Sequence, residues 1–274
     1  MPISKSPIHL LVQKLSPYTC GEQQKIKDTS MTSPFPSRSA LFTLTILLFI
    51  VAGCYSPSAR VPSRHELLAA RTNYPARWWA PVASNGAPAW EIFPQDAGPG
   101  DVILSKRNEL GLLSNFAATP FTFHGQHYAS LEGFWQMMKY PENQDDPRAR
   151  FPGLQWRWTR EQVAQMTGFE AKHAGDLGSE NMERMGITWV TFEGQPMEYR
   201  PSVPGEHYRL IVAATKEKVR QNPAVKNVLL ATGNLVLKPD HHQETNAPVA
   251  WRYYEILMQI RTELQAENAR HPAR

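Results

Sequence analysis

The sequence predicts an α+β fold, a single helix-dominated domain with a few short strands. Three observations carry that prediction. Apolar residues recur at helix spacing in long segments, most clearly over 206–221 and 251–264. Short β-branched and aromatic runs flank Gly-containing turns near 121–128 and 187–200. Capping residues and prolines separate these segments, as at Ser130, Pro141, Thr159 and Pro223.

In chain order, Asp101–Ser105 and Phe121–Phe123 read as short strands, with Gly125 turning the chain before Tyr128. Ser130 is a plausible N-cap for a helix that runs to Tyr140, where Pro141 stops it. Thr159 with Gln162 matches a capping box and opens a helical stretch broken near Gly168. Ser179 and Gly186 bracket a further short helix. Ile187–Phe192 and Met197–Arg200, joined across 193–196, form a hairpin pattern. Glu206–Gln221 is a helix with Tyr208, Ile211, Val212, Thr215 and Val219 at helical spacing. Asn222-Pro223 ends it and starts another, closed by Gly233; Trp251–Leu264 is the last. The compact domain is expected over 101–264, with a polar tail at 265–274.

The chain has 274 residues, 42% of them hydrophobic and 20% charged, which is enough for a sizeable core. Its net charge of +4 comes without a dense Lys/Arg run, so composition does not point to a nucleic-acid surface. An anionic small molecule suits the same balance. Near the N-terminus, residues 40–52 are uncharged and apolar, preceded by Arg38 and followed by Gly53-Cys54. That run matches a signal-peptide core and is shorter than the about 20 residues of a membrane-spanning helix. Val51-Ala52-Gly53-Cys54 resembles a bacterial lipobox. Residues 1–53 are therefore read as a leader, with Met31 as its expected start and Cys54 as the lipidated residue. Loss of Cys20 with the leader leaves Cys54 unpaired, as a lipid attachment point would be. Acyl chains contribute about 0.8 kcal/mol per buried methylene. The expected location is the cell envelope, anchored to a bacterial membrane and facing the periplasm or exterior; without the leader reading it is the cytoplasm. Residues 54–100, rich in Pro, Ser, Ala and Gly, read as a tether and N-terminal extension that becomes ordered where Trp78-Trp79 meets the domain.

Two local patterns bear on chemistry. Glu132, Gln136 and Lys139 lie four and three residues apart and share one helix face, among Leu131, Phe134, Trp135 and Met138. Taken alone, that spacing describes an ordinary polar surface. Leu113-Ser114-Asn115-Phe116 lies between the first two strands, where Ser and Asn make turns or present hydroxyl and amide groups to a ligand.

Together these patterns resemble the NADAR (YbiA-like) family. The matching residues are Leu113 to Phe116, Gly125, Tyr128, Ser130, Glu132, Gln136 and Lys139. Three collinear blocks follow: Ala171-Lys172 with Gly175, Lys218-Val219 with Gln221-Asn222-Pro223, and Leu229 to Gly233. The resemblance implies a YbiA-like domain and a metal-independent N-glycosidase without cofactor. Its substrate would be a ribosyl-phosphate or ADP-ribosyl conjugate, either a riboflavin intermediate or an ADP-ribosylated nucleobase. Nucleic acid would enter only as a carrier of such a base. The resemblance assigns Glu132 the stabilisation of an oxocarbenium-like sugar and the activation of water. It gives phosphate to Lys139 and Lys172, and ribose or base contacts to Asn115 and Gln136, alongside Ser114 and Phe116.

The chain departs from the family pattern at two places. Val203 stands where the family has a Trp, so Trp189 is the substitute expected to stack on the base. The late acid-Trp-Gly block is altered too, and Asp240 is favoured over Glu244 as the second acid. His241-His242 has no third ligand at metal spacing and reads as a polar or phosphate-facing loop. A non-catalytic module for NAD- or ADP-ribose-like ligands and a structural envelope lipoprotein are the alternatives.

Overall fold

The computed structural model describes residues 71–270, together with residues 63, 65, 66 and 69. The chain divides into residues 1–58 and 59–274, and the described residues all belong to the second unit. The leader, Met31, Cys20, Cys54 and the lipid anchor expected there lie outside the described residues. So does the last part of the tail, 271–274. Among the described residues, no helix is long and apolar enough to cross a membrane.

The architecture is α+β, with helices forming most of it. Among the described residues, six short strands make three separate pairs: β1 (Asp101–Ile103) with β6 (Val236–Lys238), β2 (Phe121–Phe123) with β3 (Gln126–Tyr128), and β4 (Trp189–Phe192) with β5 (Gln195–Glu198). The last two pairs are antiparallel hairpins. Their two-residue turns, His124-Gly125 and Glu193-Gly194, all have positive φ, between 49° and 77°. That geometry matches the right-handed twist of the flanking strands. The second turn is thus tighter than the four residues expected from sequence, and Pro196 falls inside β5 opposite Thr191. The β1–β6 pair is parallel and joins the two ends of the domain; Val236–Lys238 carried no strand expectation of its own.

Within residues 71–270 the α-helices are α1 (Leu131–Met137), α2 (Arg160–Ala164), α3 (Gly168–Met185), α4 (Glu206–Gln221), α5 (Pro223–Ala231) and α6 (Tyr253–Arg270). Ser130 caps α1 by accepting from the Gly133 amide at 2.9 Å, and its hydroxyl donates to Met166 O. The Thr159–Gln162 capping box starts α2. α1 stops at Met137 rather than Tyr140, because the chain tightens into bonds from Lys139 N to Gln136 O and from Tyr140 N to Met137 O. Lys139 therefore sits in the turn after α1. Ser179 does not start a new helix either: it lies inside α3, which ends at the left-handed Gly186.

α1 is the centre of the fold, and all seven of its residues are buried. Glycines let its neighbours approach. A Cβ on Gly133 would lie 2.6 Å from Met166 O, and one on Gly178 would lie 3.0 Å from the Lys139 Cβ. Around α1, Phe121, Phe123, Tyr128, Phe134 and Phe192 pack edge to face and tilted, with centroids 4.9–6.1 Å apart. Residues 71–100 also join this body. Trp78 is 1% exposed, Trp79 Nε1 donates to Asp101 O, and Glu91 bridges His241. The ordered body thus begins upstream of Asp101, and α6 carries it to Arg270.

The loop 114–116 is fixed from behind. The Glu132 amide donates to Asn115 O and the Gly168 amide to Phe116 O. Lys218, 1% exposed on α4, donates its Nζ to Ser114 O at 2.7 Å. Burial lowers the Lys218 pKa from its ordinary 10.5 to about 7. A cation whose folded pKa is depressed binds fewer protons in the folded than in the unfolded chain between those values, so stability rises with pH across that window. In Lys218→Met this contribution disappears. The difference in unfolding free energy, wild type minus variant, is expected to shift toward wild type by about 1.4 kcal/mol per pH unit from pH 7 upward. Denaturant unfolding of both proteins from pH 6 to 10 measures it; a flat difference contradicts a buried, titrating amine.

Candidate functional site

The loop 114–116, α1 with its following turn, and the N-terminal half of α3 enclose one side of a cleft of about 440 Å³. Ser114, Asn115, Phe116, Glu132, Gln136, Lys139 and Lys172 all line it, so the structure brings seven of the residues expected from sequence to one place. Trp189 lies elsewhere. It lines a separate depression of about 610 Å³ with Glu142, Asp145 and Asp146, and the Arg148 guanidinium sits 5.0 Å from its ring. Trp189, expected from sequence to stack on the base, does not line the cleft that holds Glu132. Asp240 is also absent from the cleft wall; it is 2% exposed and sits behind it. Glu244 does not line the cleft.

Glu132 is 7% exposed. Gln136 Nε2, one turn along α1, donates to its Oε1 at 2.7 Å. Burial raises the Glu132 pKa above the ordinary carboxylate value, although the Gln136 bond and the Lys139 charge pull it down. The other end of the Gln136 amide, Oε1, is buried without a partner in the structure. It lies over Gly175, where a Cβ would come within 2.0 Å. Gly175 is therefore the seat that allows Gln136 to reach Glu132. Gln136, expected from sequence as a ligand contact, lines the cleft and also holds the Glu132 carboxylate.

Lys139 is 3% exposed, and its Nζ donates to Gly175 O at 2.9 Å and Ser179 Oγ at 2.7 Å. It also sits 4.9 Å from the Tyr199 ring centroid. Burial lowers its pKa from 10.5 to about 7, with Glu132 and Asp176 opposing that shift. Lys172 is half-exposed and pairs with Asp176 at 2.8 Å, so its charge is already partly answered.

The rest of the cleft comes from residues outside the sequence-based set, apart from His241 and His242, which were read as a polar or phosphate-facing loop. Trp135 and Tyr199 form an inner aromatic wall, linked by a Trp135 Nε1 to Tyr199 OH bond of 3.3 Å. His207, fully buried behind them, stands edge-on to both rings. At the mouth, Trp90 meets Phe169, which meets Phe116 edge to face. Opposite lie Arg200, close to the Tyr199 and Trp251 rings, and His241, parallel to Tyr253. Lys106, at the end of β1, lies 5.1 Å from the Phe116 ring centroid. Trp135 carried a core signal in its helix spacing. Lys106, Arg200 and Tyr253 carried none, because each reaches the cleft through a contact distant in sequence. Among the described residues no group of three or more His, Cys, Asp or Glu stands at metal-binding distance.

The arrangement combines a desolvated carboxylate, flat aromatic walls and cations at both ends of one cleft. Such a cleft suits a ligand with a planar ring and an anionic group. No protein-family model and no curated protein matches the chain. Among solved structures, the chain is similar to the NMR structure of the E. coli protein YbiA, at 20% identity and a TM-score of 0.40, over 71% of this chain and 98% of that one.

Proposed function

We propose that this cleft is the active site of an N-glycosidase that hydrolyses the bond between a ribose and a nitrogenous base. Its substrate class is a ribosyl-phosphate or ADP-ribosyl conjugate. The observation that carries the reading is Glu132, a carboxylate held in a cleft with aromatic walls and raised in pKa by burial.

Departure of the base leaves positive charge on the sugar carbon and ring oxygen. An ionised Glu132 opposes that charge, and in a site with little water the opposition is strong. Water then bonds to the sugar carbon, and its proton passes to Glu132. A carboxylate raised in pKa is a better base for that step than an ordinary surface acid. Lys139 offers a charge to a phosphate group, and the Trp135 and Tyr199 rings supply flat surface for a base. Gln136 holds the carboxylate in one rotamer.

Four outcomes test this reading. In the full chain, Glu132→Gln is expected to lower release of free base from ribosylamino-pyrimidine phosphates or ADP-ribosylated guanosine by about 100-fold or more. Wild-type kcat/KM should also fall as the pH drops through a value above 4.5, because Glu132 must be ionised. Equal inertness of both proteins, with retained binding, would assign the cleft to a non-catalytic binding module instead. Affinity for ribose 5-phosphate should weaken as the pH rises through about 7, where Lys139 loses its charge, and Lys139→Met should flatten that dependence. Calorimetric titration at pH 6 and 8.5 measures it. Finally, Gly175→Ala pushes the Gln136 amide off Glu132. It should lower kcat by at least about 10-fold while the folded circular dichroism spectrum persists. Unchanged kcat would show that Gln136 does not position the carboxylate.

A further inference from the structure

Behind the cleft wall lies a second acid assembly that the chemistry above leaves unused. Asp240, 2% exposed, accepts at Oδ1 from His241 Nδ1 at 3.1 Å and at Oδ2 from Lys106 Nζ at 2.5 Å. Burial pushes the Asp240 pKa up, but the bond from His241 and the charge of Lys106 outweigh it and hold the group below the ordinary carboxylate range. Asp240 is thus ionised and shielded, whereas His241 lines the cleft with its side chain 37% exposed.

The two ring nitrogens of His241 have different neighbours. An ionised carboxylate only accepts, so Nδ1 carries the proton. The Gln243 side-chain nitrogen lies 3.4 Å from Nε2 and only donates; it also donates to Trp251 O at 3.0 Å. Both contacts select the tautomer with a lone pair on Nε2. Tyr253 lies parallel to the ring, at an interplanar angle of 9° and a centroid distance of 6.3 Å. The other charged or titratable groups on this side are Lys106, His242 and the Glu91–Arg107 pair.

We propose that His241 is the proton donor to the departing base and that Asp240 is its positioning residue; this rests on the N-glycosidase reading of the cleft. A ligand seated in the cleft takes the place of the Gln243 amide at Nε2, which then carries a proton from solvent toward the leaving nitrogen while Nδ1 keeps its proton and donates to Asp240, the logic of an acid-histidine pair in other hydrolases. As the carbon–nitrogen bond breaks, its electron pair stays on the nitrogen, which receives the Nε2 proton. Water oxygen bonds to the sugar carbon, its proton goes to Glu132, and Glu132 returns that proton to solvent. The sum is one water consumed, with one sugar hydroxyl and one protonated base formed. Division of labour follows: Glu132 serves the sugar carbon and His241 serves the leaving nitrogen. Asp240, expected from sequence as a second catalytic acid, acts through the histidine.

A leaving-group comparison tests this. His241→Gln and Asp240→Asn are assayed beside wild type on a ribosylamino-pyrimidine phosphate and on p-nitrophenyl riboside 5-phosphate, whose leaving group needs no proton. His241→Gln should lose about 100-fold on the first and less than about 5-fold on the second. Asp240→Asn should show the same pattern in weaker form. Equal losses on both substrates, or no loss on the first, overturn the proposal even while Glu132→Gln abolishes turnover. Wild-type inertness on both substrates, matched by Glu132→Gln, overturns the glycosidase reading and this one with it. Nitrogen-15 NMR of the imidazole supplies a readout independent of turnover. Wild type should show the proton on Nδ1 in the neutral ring, and Asp240→Asn a mixture of tautomers. A wild-type ring with its proton on Nε2 contradicts the geometry.

Discussion

The hydrogen bond from Gln136 to Glu132 is made inside a helix with no exposed face, and the site is built around that constraint. A polar pair at i and i+4 on a surface helix contributes a few tenths of a kcal/mol and is free to break. Nearly buried on α1, the same pair meets solvent only through the cleft, so each group depends on its neighbour. Gly133 and Gly178 bring α2 and α3 close enough to exclude water, and Gly175 leaves space for the Gln136 amide. Stability and reactivity therefore draw on the same close packing. The packing that completes the core also desolvates the acid.

The charges of the domain are arranged in unequal ways. Arg148, 1% exposed, is answered by Asp146 and by the carbonyls of Met138 and Lys139. It is structural, pinning the turn after α1. Lys218 has one carbonyl partner and no acid beside it, and Lys139 has a carbonyl, a hydroxyl and an aromatic face. Buried amines supported this lightly are costly in their charged form. Lys218 lies behind the loop it holds, whereas Lys139 lines the cleft. Only Lys139 can offset its cost by meeting an anion.

Much of the fold was legible in the sequence because local signals there agree with tertiary demands. The Ser130 cap, the Thr159–Gln162 box, the Gly125 turn and the Glu206–Gln221 helix all appear where spacing placed them. The parallel β1–β6 pair was not legible, since three-residue strands more than 130 positions apart carry no shared pattern. The end of α1 was misjudged because its tightened last turn leaves no mark in the sequence, and the extent of α3 for a different reason. Small residues at 175 and 178 look like helix weakeners until a neighbouring helix occupies the space they leave. The cleft was half legible. Residues on one continuous stretch, Glu132 to Lys139, could be grouped by periodicity; Lys106, Tyr199 and His241 could not.

The motif residues that first drew attention divide into two kinds once their partners are known. Gln221 exchanges two hydrogen bonds with the backbone of Thr122, and Asn222 donates to Pro120 O, so the block after Lys218 docks the edge of β2. Thr232 accepts from the buried Arg261, and Gly233 leaves room for Tyr74. These residues maintain the frame and touch nothing in the cleft. Glu132, Lys139 and the 114–116 loop lie in the cleft itself. Similarity confined to the first kind would preserve the frame under any chemistry, so the frame cannot decide the reaction. The rest of the cleft wall comes from other segments: Trp90 from the N-terminal extension, Tyr199 and Arg200 after the second hairpin, and His241 from the late loop. On the proposed reading the carboxylate sets what kind of bond is attacked, and those later additions set which molecule presents it.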